Sequence, residues 1–459
     1  MVFPHSPSDE GAEPSTDGTR PGPAAGTSAP AGPAGRSPLA RRARELAART
    51  AAPTTAERDT EGRWDPALFT ALAGPASPVT GPAGTGTGAT LAAPTSTGTG
   101  IGTGTTGPTH ADPADPTGPI NGTGPITLTG PLVPREFGGA ALTARETCAL
   151  LQGFAEGSRD PGLALAAVVH AVLVTVPLRA FGTARQREHY LPRMASGEWT
   201  GALSLPQTQG AALAPTVTAR PATDGPGGWK LAGELDLVAG APHAHHFLVV
   251  AAHEGGGRTA FLVDRHTPGL RIHEADPAAL RTCAWGRLVL DDCPLPEDAV
   301  LGTALGAAHE TEPLLAALDW VFTSATWLGV MRALTADALD AARDRKLFGR
   351  PIAHAQSARF ALADMATRCE LAEGLLYAAA DRFDDGGRPA PQEAAAARLF
   401  VATAARAVTD AAARLSGPLA LTGDRLVERA YRDVLFFAET GGGTDVLRPV
   451  IAASVLGLG

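Results

Sequence analysis

A cluster of cationic residues late in the chain could bind an anion. Arg343, Arg345 and Lys346 come shortly before Gly349, and Gln356 follows that glycine by seven residues. Guanidinium and ammonium groups bind phosphate oxygens through charge-assisted hydrogen bonds. The spacing therefore suits an anionic ligand group such as a diphosphate. It also suits an ordinary helix end, where cations complement the helix dipole and a glycine ends the helix.

The segment before this cluster is predicted to be one long amphipathic helix. No glycine or proline occurs between Met331 and Phe348, and apolar residues recur every three or four positions. We expect the helix to end at Gly349, with Arg343, Arg345 and Lys346 in its last turn. Pro351, two residues later, supports that stop.

Three histidines, His243, His245 and His246, could suggest a metal site. Neighbouring residues on a strand point to opposite faces, and no cysteine or acidic cluster completes four ligands. The pattern favours a surface turn and no metal site.

Composition narrows the class of protein. The chain has 459 residues, enough for two or three domains, and a net charge of -9, which argues against a nucleic-acid partner. Its four cysteines show no CxxC spacing, as is typical of reduced thiols in a cytoplasmic protein. We see neither a secretory signal nor a run of about 18 apolar residues, so we expect no membrane span and a cytoplasmic location.

The order of elements predicts three domains. Residues 1–36 and a Gly/Thr/Pro-rich insertion at 75–130 are predicted to be disordered, because they have too few large apolar side chains to form a core. The remainder of residues 37–200 is helical in pattern. Short apolar or alternating runs follow at 201–310 and suggest a small antiparallel barrel or sandwich. Residues 311–459 are helical again.

Two motifs resemble the acyl-CoA dehydrogenase family. The sequence RKLFGRPI at 345–352 with Gln356 resembles the RKxFGxxI…Q signature, and residues 181–198 resemble the FGTxxQxxxYLPxxxxGE connection. The resemblance covers most of the chain after residue 131. It implies an α+β fold with an N-terminal helical domain, a middle β-domain and a C-terminal four-helix bundle. It also implies that Arg345 and Gln356 help to hold FAD at a subunit interface and that Phe348 is a further cofactor-binding residue.

In the resembled enzymes the flavin takes a hydride from Cβ of an acyl thioester while a carboxylate removes the α proton. That carboxylate usually belongs to a YEGT motif after a YRD motif. Here Tyr431–Asp433 is the YRD, but the glutamate position is a glycine, by spacing Gly442. Glu439 is near in sequence but requires loop rearrangement. In some members the base lies at the start of the long helix, ten residues before a glycine, and that position is Asp319.

The flavin-binding motifs of the family are only partly present. Ser204 keeps the hydroxyl of the TEPxxGSD loop, and Leu237–Ala239 replaces a WIT segment that donates to the flavin. Arg414 and Gly417 stand in the diphosphate-binding QxxGG segment, and Thr444 ends the YEGT motif. The resemblance therefore implies a partly retained diphosphate site and an altered isoalloxazine site, so that retention of FAD is open.

These observations favour an FAD-dependent oxidoreductase acting on CH–CH groups of an acyl thioester, bound to CoA or to a carrier protein, in specialised metabolism. The loss of the usual glutamate predicts atypical or reduced α,β-dehydrogenation. One alternative is a redox-inactive subunit of a heteromeric complex. Another is a non-redox catalyst that reuses the thioester pocket with Asp319 as acid or base. The first reading implies a homo-oligomer, dimer or tetramer, and the second a heteromer with a homologous chain.

Overall fold

The computed structural model describes residues 37–72, 126–222, 228–385, 391–422 and 425–457. The predicted disorder at 1–36 and at 75–125 lies outside these residues. Residues 126–130, the end of the predicted insertion, are described, and Leu128 and Thr129 are buried there. Within them, two sets of helices flank a β-sheet, as the sequence predicted.

In the described residues the N-terminal set contains seven α-helices. They are α1 (Pro38–Thr50), α2 (Thr55–Glu61), α3 (Pro66–Ala71), α4 (Ala144–Ser158), α5 (Pro161–Val168), α6 (Thr175–Phe181) and α7 (Ala184–Ala195). A π-helical segment, Val169–Val174, joins α5 to α6. Helix α7 begins with a capping box in which Thr183 and Gln186 bond each other's backbone N–H groups. Gln186 Nε2 also donates to the carbonyl oxygens of Asp298 and Val300, so the FGTxxQ motif ties the helices to the sheet.

The middle domain is an eight-stranded sheet. Its strands are β1 (Gly201–Ser204), β2 (Val217–Pro221), β3 (Trp229–Ala239), β4 (His246–His253), β5 (Arg258–Asp264), β6 (Leu270–Glu274), β7 (Trp285–Leu295) and β8 (Val300–Leu301). Strands β1 and β2 lie end to end between β3 and β4, antiparallel to β3 but parallel to β4. The prediction of a purely antiparallel domain was therefore wrong in this detail. The segment Leu205–Ala212, a pair of 3₁₀ turns, leaves the sheet between β1 and β2.

The C-terminal set contains the longest helices. They are α8 (Thr311–Leu318), α9 (Ser324–Asp344), α10 (Gln356–Asp384), α11 (Pro391–Ser416), α12 (Leu426–Glu439) and α13 (Gly443–Val455). A second π-helical segment, Asp319–Thr323, joins α8 to α9. Gly329 allows α9 to cross α4 closely, because a Cβ there would overlap the carbonyl oxygen of Gln152.

The predicted end of the long helix was wrong. Helix α9 ends at Asp344, and Arg345 is already extended. The chain then forms a hairpin of β9 (Lys346–Leu347) and β10 (Arg350–Pro351). Phe348 and Gly349 both have positive φ, which is the two-residue turn that matches the twist of a hairpin. Only Arg343 remains in the last helical turn.

Two helical stretches are long and apolar enough to cross a membrane by length and composition, Pro161–Phe181 and Thr311–Asp344. The sequence analysis had found no such run. Both stretches are almost entirely buried among other helices of the protein. Their apolar character is thus accounted for by packing inside the fold.

The YRD motif holds the domains together. Arg432 donates to both carboxylate oxygens of Asp59 on α2, at 2.7 and 2.8 Å. The carboxylate of Asp433 accepts a hydrogen bond from the backbone N–H of Leu280, between β6 and β7, at 2.8 Å. The middle of α12 is thereby bound to the N-terminal helices and to the β-domain, and this anchors the helix that leads into the glycine loop.

Candidate active site

Asp319 lies at the centre of the molecule, where the three domains meet. It is the first residue of the π-helical segment between α8 and α9, and it is 2% exposed. Its Oδ2 lies 3.3 Å from the hydroxyl of Thr208, in the segment that leaves the sheet between β1 and β2. The sequence prediction at Asp319 therefore falls on a buried carboxylate that faces the loop expected to contact a flavin.

The loop after α12 covers the other side of this carboxylate. Trp320 Nε1 donates to the carbonyl oxygen of Gly441 at 2.9 Å. A Cβ built on Gly441 would lie 2.7 Å from Asp319 Oδ2, whereas one on Gly442 would overlap Val446. Gly441, next to the predicted Gly442, is thus the residue that faces Asp319. The helix start and the loop, the two places where the resembled family carries its base, meet here.

Burial and one countercharge set the protonation of this site. Burial raises the pKa of Asp319, and the charge of Arg398 with hydrogen bonding from Thr208 and Thr323 offsets part of that rise. Arg398, on α11, is itself 1% exposed, and burial lowers its pKa to about 10. Arg398 was not among the residues predicted from the sequence. The available signal was an arginine within the apolar run AAAARLFVA.

Glu439 occupies a different environment from Asp319. It is exposed at the end of α12 and lines a groove of about 500 Å³ between α11, α12 and α13. Its Oε2 would lie 3.1 Å from a Cβ on Gly443, and Thr444, also exposed, lines the same groove. The two residues predicted to act as a base and as a cofactor contact are therefore together in the groove, while Asp319 is in the interior.

Ser204 and the Leu237–Ala239 segment are neighbours on adjacent strands. Ser204 pairs with Val238, and its hydroxyl donates to the carbonyl oxygen of Asp236 at 2.6 Å. The pairing of β3 with β7 shifts between Leu235 and Val238, and Leu237 adopts a φ of 50° in that bulge. A branched residue with positive φ is strained, and such strain is common at functional sites.

The predicted diphosphate-binding residues converge in part. Arg345 Nη1 donates to the carbonyl oxygen of Leu415 at 3.1 Å, and a Cβ on Gly417 would lie 2.7 Å from that same nitrogen. Gly417 has a φ of 70°, so its backbone and its lack of a side chain both make room for the guanidinium. Three further candidates lie on the surface: Phe348, fully exposed at the hairpin tip, Gln356, and Arg414, paired with Asp410.

The histidine prediction needs one correction. His246 is buried, not on a surface turn, and its ring packs edge-on against Tyr190 and Trp199 with centroids 4.8 and 4.7 Å away. Burial lowers the pKa of His246 to about 4. His245 Nδ1 accepts a hydrogen bond from the backbone N–H of Thr200. In the described part of the chain, no three His, Cys, Asp or Glu side chains form a group that could hold a metal ion.

Three domain families match the chain in order. They are the acyl-CoA dehydrogenase N-terminal domain at residues 110–198, the middle domain at 202–293 and the C-terminal domain at 321–456. The middle match covers β1 to most of β7, and the C-terminal match begins two residues after Asp319.

Similar proteins act on different carriers. An L-prolyl-[peptidyl-carrier protein] dehydrogenase from Pseudomonas fluorescens is 29% identical over 325 residues, 70% of this chain and 85% of that protein. A benzylmalonyl-CoA dehydrogenase from Aromatoleum aromaticum is 32% identical over 327 residues, with 70% and 85% covered. The FAD complex of PigA, a solved structure, superposes with a TM-score of 0.73 at 22% identity, covering 92% and 97% of the two chains. The chain belongs to the acyl-CoA dehydrogenase family.

Proposed function

We propose that this protein is an FAD-dependent oxidoreductase that dehydrogenates an acyl thioester, with Asp319 as its catalytic base. One observation carries the proposal: a buried carboxylate lies between the Leu205–Ala212 segment and the glycine loop after α12. A base of this kind must reach the substrate's α carbon in a site dry enough to raise its basicity. Burial supplies the second condition, because it raises the pKa of Asp319.

The residues around Asp319 suit proton removal from a carbon acid. Gly441 has no side chain to occupy the space beside Oδ2, and Trp320 holds the Gly441 carbonyl by a hydrogen bond. Asp319 Oδ2 would take the α proton of the thioester, and Thr208 would hold that oxygen in place before the substrate binds. When bound, the flavin supplies the acceptor for the hydride that leaves Cβ.

Several side chains fit FAD. The guanidinium of Arg345 beside Gly417 suits the diphosphate, because it presents charged donors next to backbone that no Cβ obstructs. Ser204 is at the end of β1, where the family's flavin loop begins. Thr444 lies in the groove at the start of α13.

The exposed cofactor candidates support an oligomer. Phe348 at the hairpin tip and Gln356 at the start of α10 are both exposed, and by the family resemblance Gln356 would help to hold FAD at a subunit interface. Full exposure of a phenylalanine costs hydrophobic free energy that burial against another copy would recover. A homo-oligomer, dimer or tetramer, with FAD between copies is therefore part of the proposal. A cytoplasmic location and a role in specialised metabolism are also part of it.

The thioester class follows from the relatives and leaves the carrier to be tested. One relative is named for a carrier-bound prolyl group and another for a CoA ester. The second candidate function is a redox-inactive subunit of a heteromer. It is favoured by Leu237–Ala239, since this segment offers no side-chain donor to a flavin.

Flavin retention separates the two candidates. The protein, purified alone, is incubated with FAD and desalted, and its visible spectrum is recorded. We expect about one flavin per subunit, followed by anaerobic bleaching with an acyl-CoA or acyl-carrier-protein panel. A colourless protein would refute the self-sufficient flavoenzyme and support the subunit hypothesis.

The base is tested on the flavin-loaded protein. Asp319→Asn should abolish bleaching, while Asp340→Asn, which changes an exposed carboxylate on α9, should retain it. If the flavin still bleaches in Asp319→Asn but does not bleach in Glu439→Gln, then Glu439 is the base and Asp319 is not.

A further inference from the structure

Arg398 is the buried arginine that contacts both walls of the Asp319 site. It projects from α11 into the protein interior, and its guanidinium lies over the ring of Phe437, 3.7 Å from the centroid. Its Nη1 donates to Thr323 Oγ1 at 2.5 Å, and its Nη2 donates to the carbonyl oxygens of Phe437 and Thr440 at 2.7 and 2.9 Å. A buried cation with this many fixed acceptors has little freedom to move.

The first wall is the helix that carries the carboxylate. Thr323 lies one turn after Asp319, and its hydroxyl donates to the Asp319 carbonyl oxygen. Arg398 therefore holds the widened π-helical turn from its C-terminal side. The second wall is the loop after α12, where Thr440 directly precedes Gly441. By holding the Thr440 carbonyl, Arg398 fixes the glycine that faces Asp319 Oδ2.

Arg398 is also the charged group whose field acts on Asp319. The charged side chains on other elements around this turn are engaged elsewhere or are exposed. Four of them form ion pairs: Glu312 of α8 with Arg258, Glu156 of α4 with Arg44, Arg145 of α4 with Asp381, and Glu373 of α10 with Arg332. Glu146 of α4 accepts a hydrogen bond from the Thr143 N–H in a capping box. Glu439 of α12 is exposed. The Leu205–Ala212 segment has no charged residue.

We propose that Arg398 is the positioning residue of this site: it keeps Asp319 anionic in the dry interior and holds the Gly441 loop against it. The proposal rests on the proposed function, in which Asp319 must accept a proton. Nothing places the guanidinium in contact with a substrate. It acts through Thr323, through Thr440 and through its charge. Without it, the pKa of this buried carboxylate would rise further, which favours the protonated form that cannot act as a base.

A double-mutant cycle tests the charge without any substrate. The thermal unfolding midpoint is measured from pH 6 to pH 9 for FAD-treated wild type, Arg398→Met, Asp319→Asn and the double variant. At high pH, Asp319→Asn should raise the midpoint of Arg398→Met, because it removes an uncompensated buried anion. The same change should lower the midpoint of wild type, or leave it unchanged, because it leaves Arg398 without its counterion.

Arg429→Met is the matched control. Arg429 is also a buried arginine, on α12, and it donates to the carbonyl oxygen of Arg159. Asp319→Asn should not raise the midpoint of Arg429→Met at any pH. Equal effects of Asp319→Asn in the Arg398→Met, Arg429→Met and wild-type backgrounds would overturn the proposal.

The pH profile of flavin reduction by a thioester gives the catalytic readout. Loss of a nearby cation raises the pKa of a carboxylate, so Arg398→Met should shift the acid limb to higher pH by about one unit or more. Arg398→Lys keeps the charge and should return the limb toward its wild-type position. If Arg398→Met does not fold, Arg398→Lys and Thr323→Val carry the test. Thr323→Val, which removes one acceptor, should shift the limb in the same direction by less.

The outcomes separate the two proposals. If the flavin of Asp319→Asn is reduced at the wild-type rate, Asp319 is not the base, and the proposed function is refuted. Loss of reduction in Asp319→Asn, together with a wild-type acid limb in Arg398→Met and Thr323→Val, would overturn the role of Arg398 and leave Asp319 as base.

Discussion

Replacing Gly441 by alanine should damage the catalytic site far more than it damages the fold. The added methyl would lie 2.7 Å from Asp319 Oδ2 and 3.3 Å from Trp320 Cδ1, closer than such atoms normally approach. Gly441 also has a φ of 73°, which costs a non-glycine residue about 1 kcal/mol. Overpacking in a filled interior adds about 1–3 kcal/mol.

The Gly441 backbone is held by Trp320, and its neighbour Thr440 is held by Arg398, so we expect the added methyl to displace the Asp319 side chain instead of the loop. A displacement of about 1 Å at a catalytic group lowers a rate by about 10²-fold. We therefore expect Gly441→Ala to fold, to bind FAD and to reduce it about 10²-fold more slowly with the best thioester.

Gly256→Ala is the control for backbone strain. Gly256 lies in the turn between β4 and β5 with a φ of 89°, and a Cβ there would have nothing within 4 Å. It should lose about 1 kcal/mol of stability and keep its rate of flavin reduction. The assay is stopped-flow bleaching of the visible flavin absorbance, with thermal unfolding measured on the same variants. Equal rates of bleaching in the two variants would refute the crowding of Asp319 by residue 441.

Three further outcomes are expected. Asp319→Asn should slow flavin reduction by about 10²–10⁴-fold, the usual contribution of a general base, while Asp319→Glu should retain part of the rate because it keeps a carboxylate; single-turnover bleaching measures both. His170 should destabilise the protein in acid: burial lowers its pKa from 6.5 to about 4, so below pH 6.5 the unfolded chain binds a proton that the folded chain refuses until about pH 4. The folded protein then has about 3 kcal/mol of its free energy of unfolding above pH 6.5 that it loses as the pH falls to 4. In His170→Gln, urea unfolding between those pH values should show a smaller dependence of the free energy of unfolding on pH. Phe348→Ser should leave the unfolding of a single chain unchanged but weaken both FAD retention and self-association, measured by absorbance and by sedimentation velocity.

The sequence predicted the architecture well because its signals were local. Thr183 and Gln186 form the capping box that their spacing indicates, and the apolar segment after Pro161 is buried as its composition requires. The hairpin at Lys346–Pro351 was missed for a local reason as well. Arginine, lysine and leucine favour helices, so nothing in residues 345–347 indicates that the helix has already ended. The hairpin depends on the positive φ of Phe348, which sequence pattern does not reveal.

A residue of the candidate site could be identified from the sequence only where its spacing from a recognisable motif indicated its role. Asp319 was identified by counting back from Gly329, and in the structure it is buried beside Thr208 and Gly441, while its role stays a prediction. Arg398 is marked in the sequence only as an arginine within an apolar run, and its partners could not be inferred because they are 75 and 42 residues away. Whether Gly441 or Gly442 faces Asp319 depends on the φ angles and the spatial neighbours of the two glycines. Sequence spacing determines neither the angles nor the neighbours.

The two π-helical segments explain how polar groups enter an otherwise apolar interior. Val169–Val174 and Asp319–Thr323 each contain one titratable side chain, His170 and Asp319, within the two most apolar helical stretches. A π turn inserts an extra residue, so the helix face rotates locally while its two ends stay in register with the surrounding core. His170 uses this to accept from the Gly201 N–H and to donate to the Met194 carbonyl oxygen, which joins the helical and β domains. By the same geometry Asp319 is turned toward Thr208 and Gly441. A regular helix would have to keep its apolar face toward the core at both places, so the π turns are what make a buried imidazole and a buried carboxylate compatible with the packing of these helices.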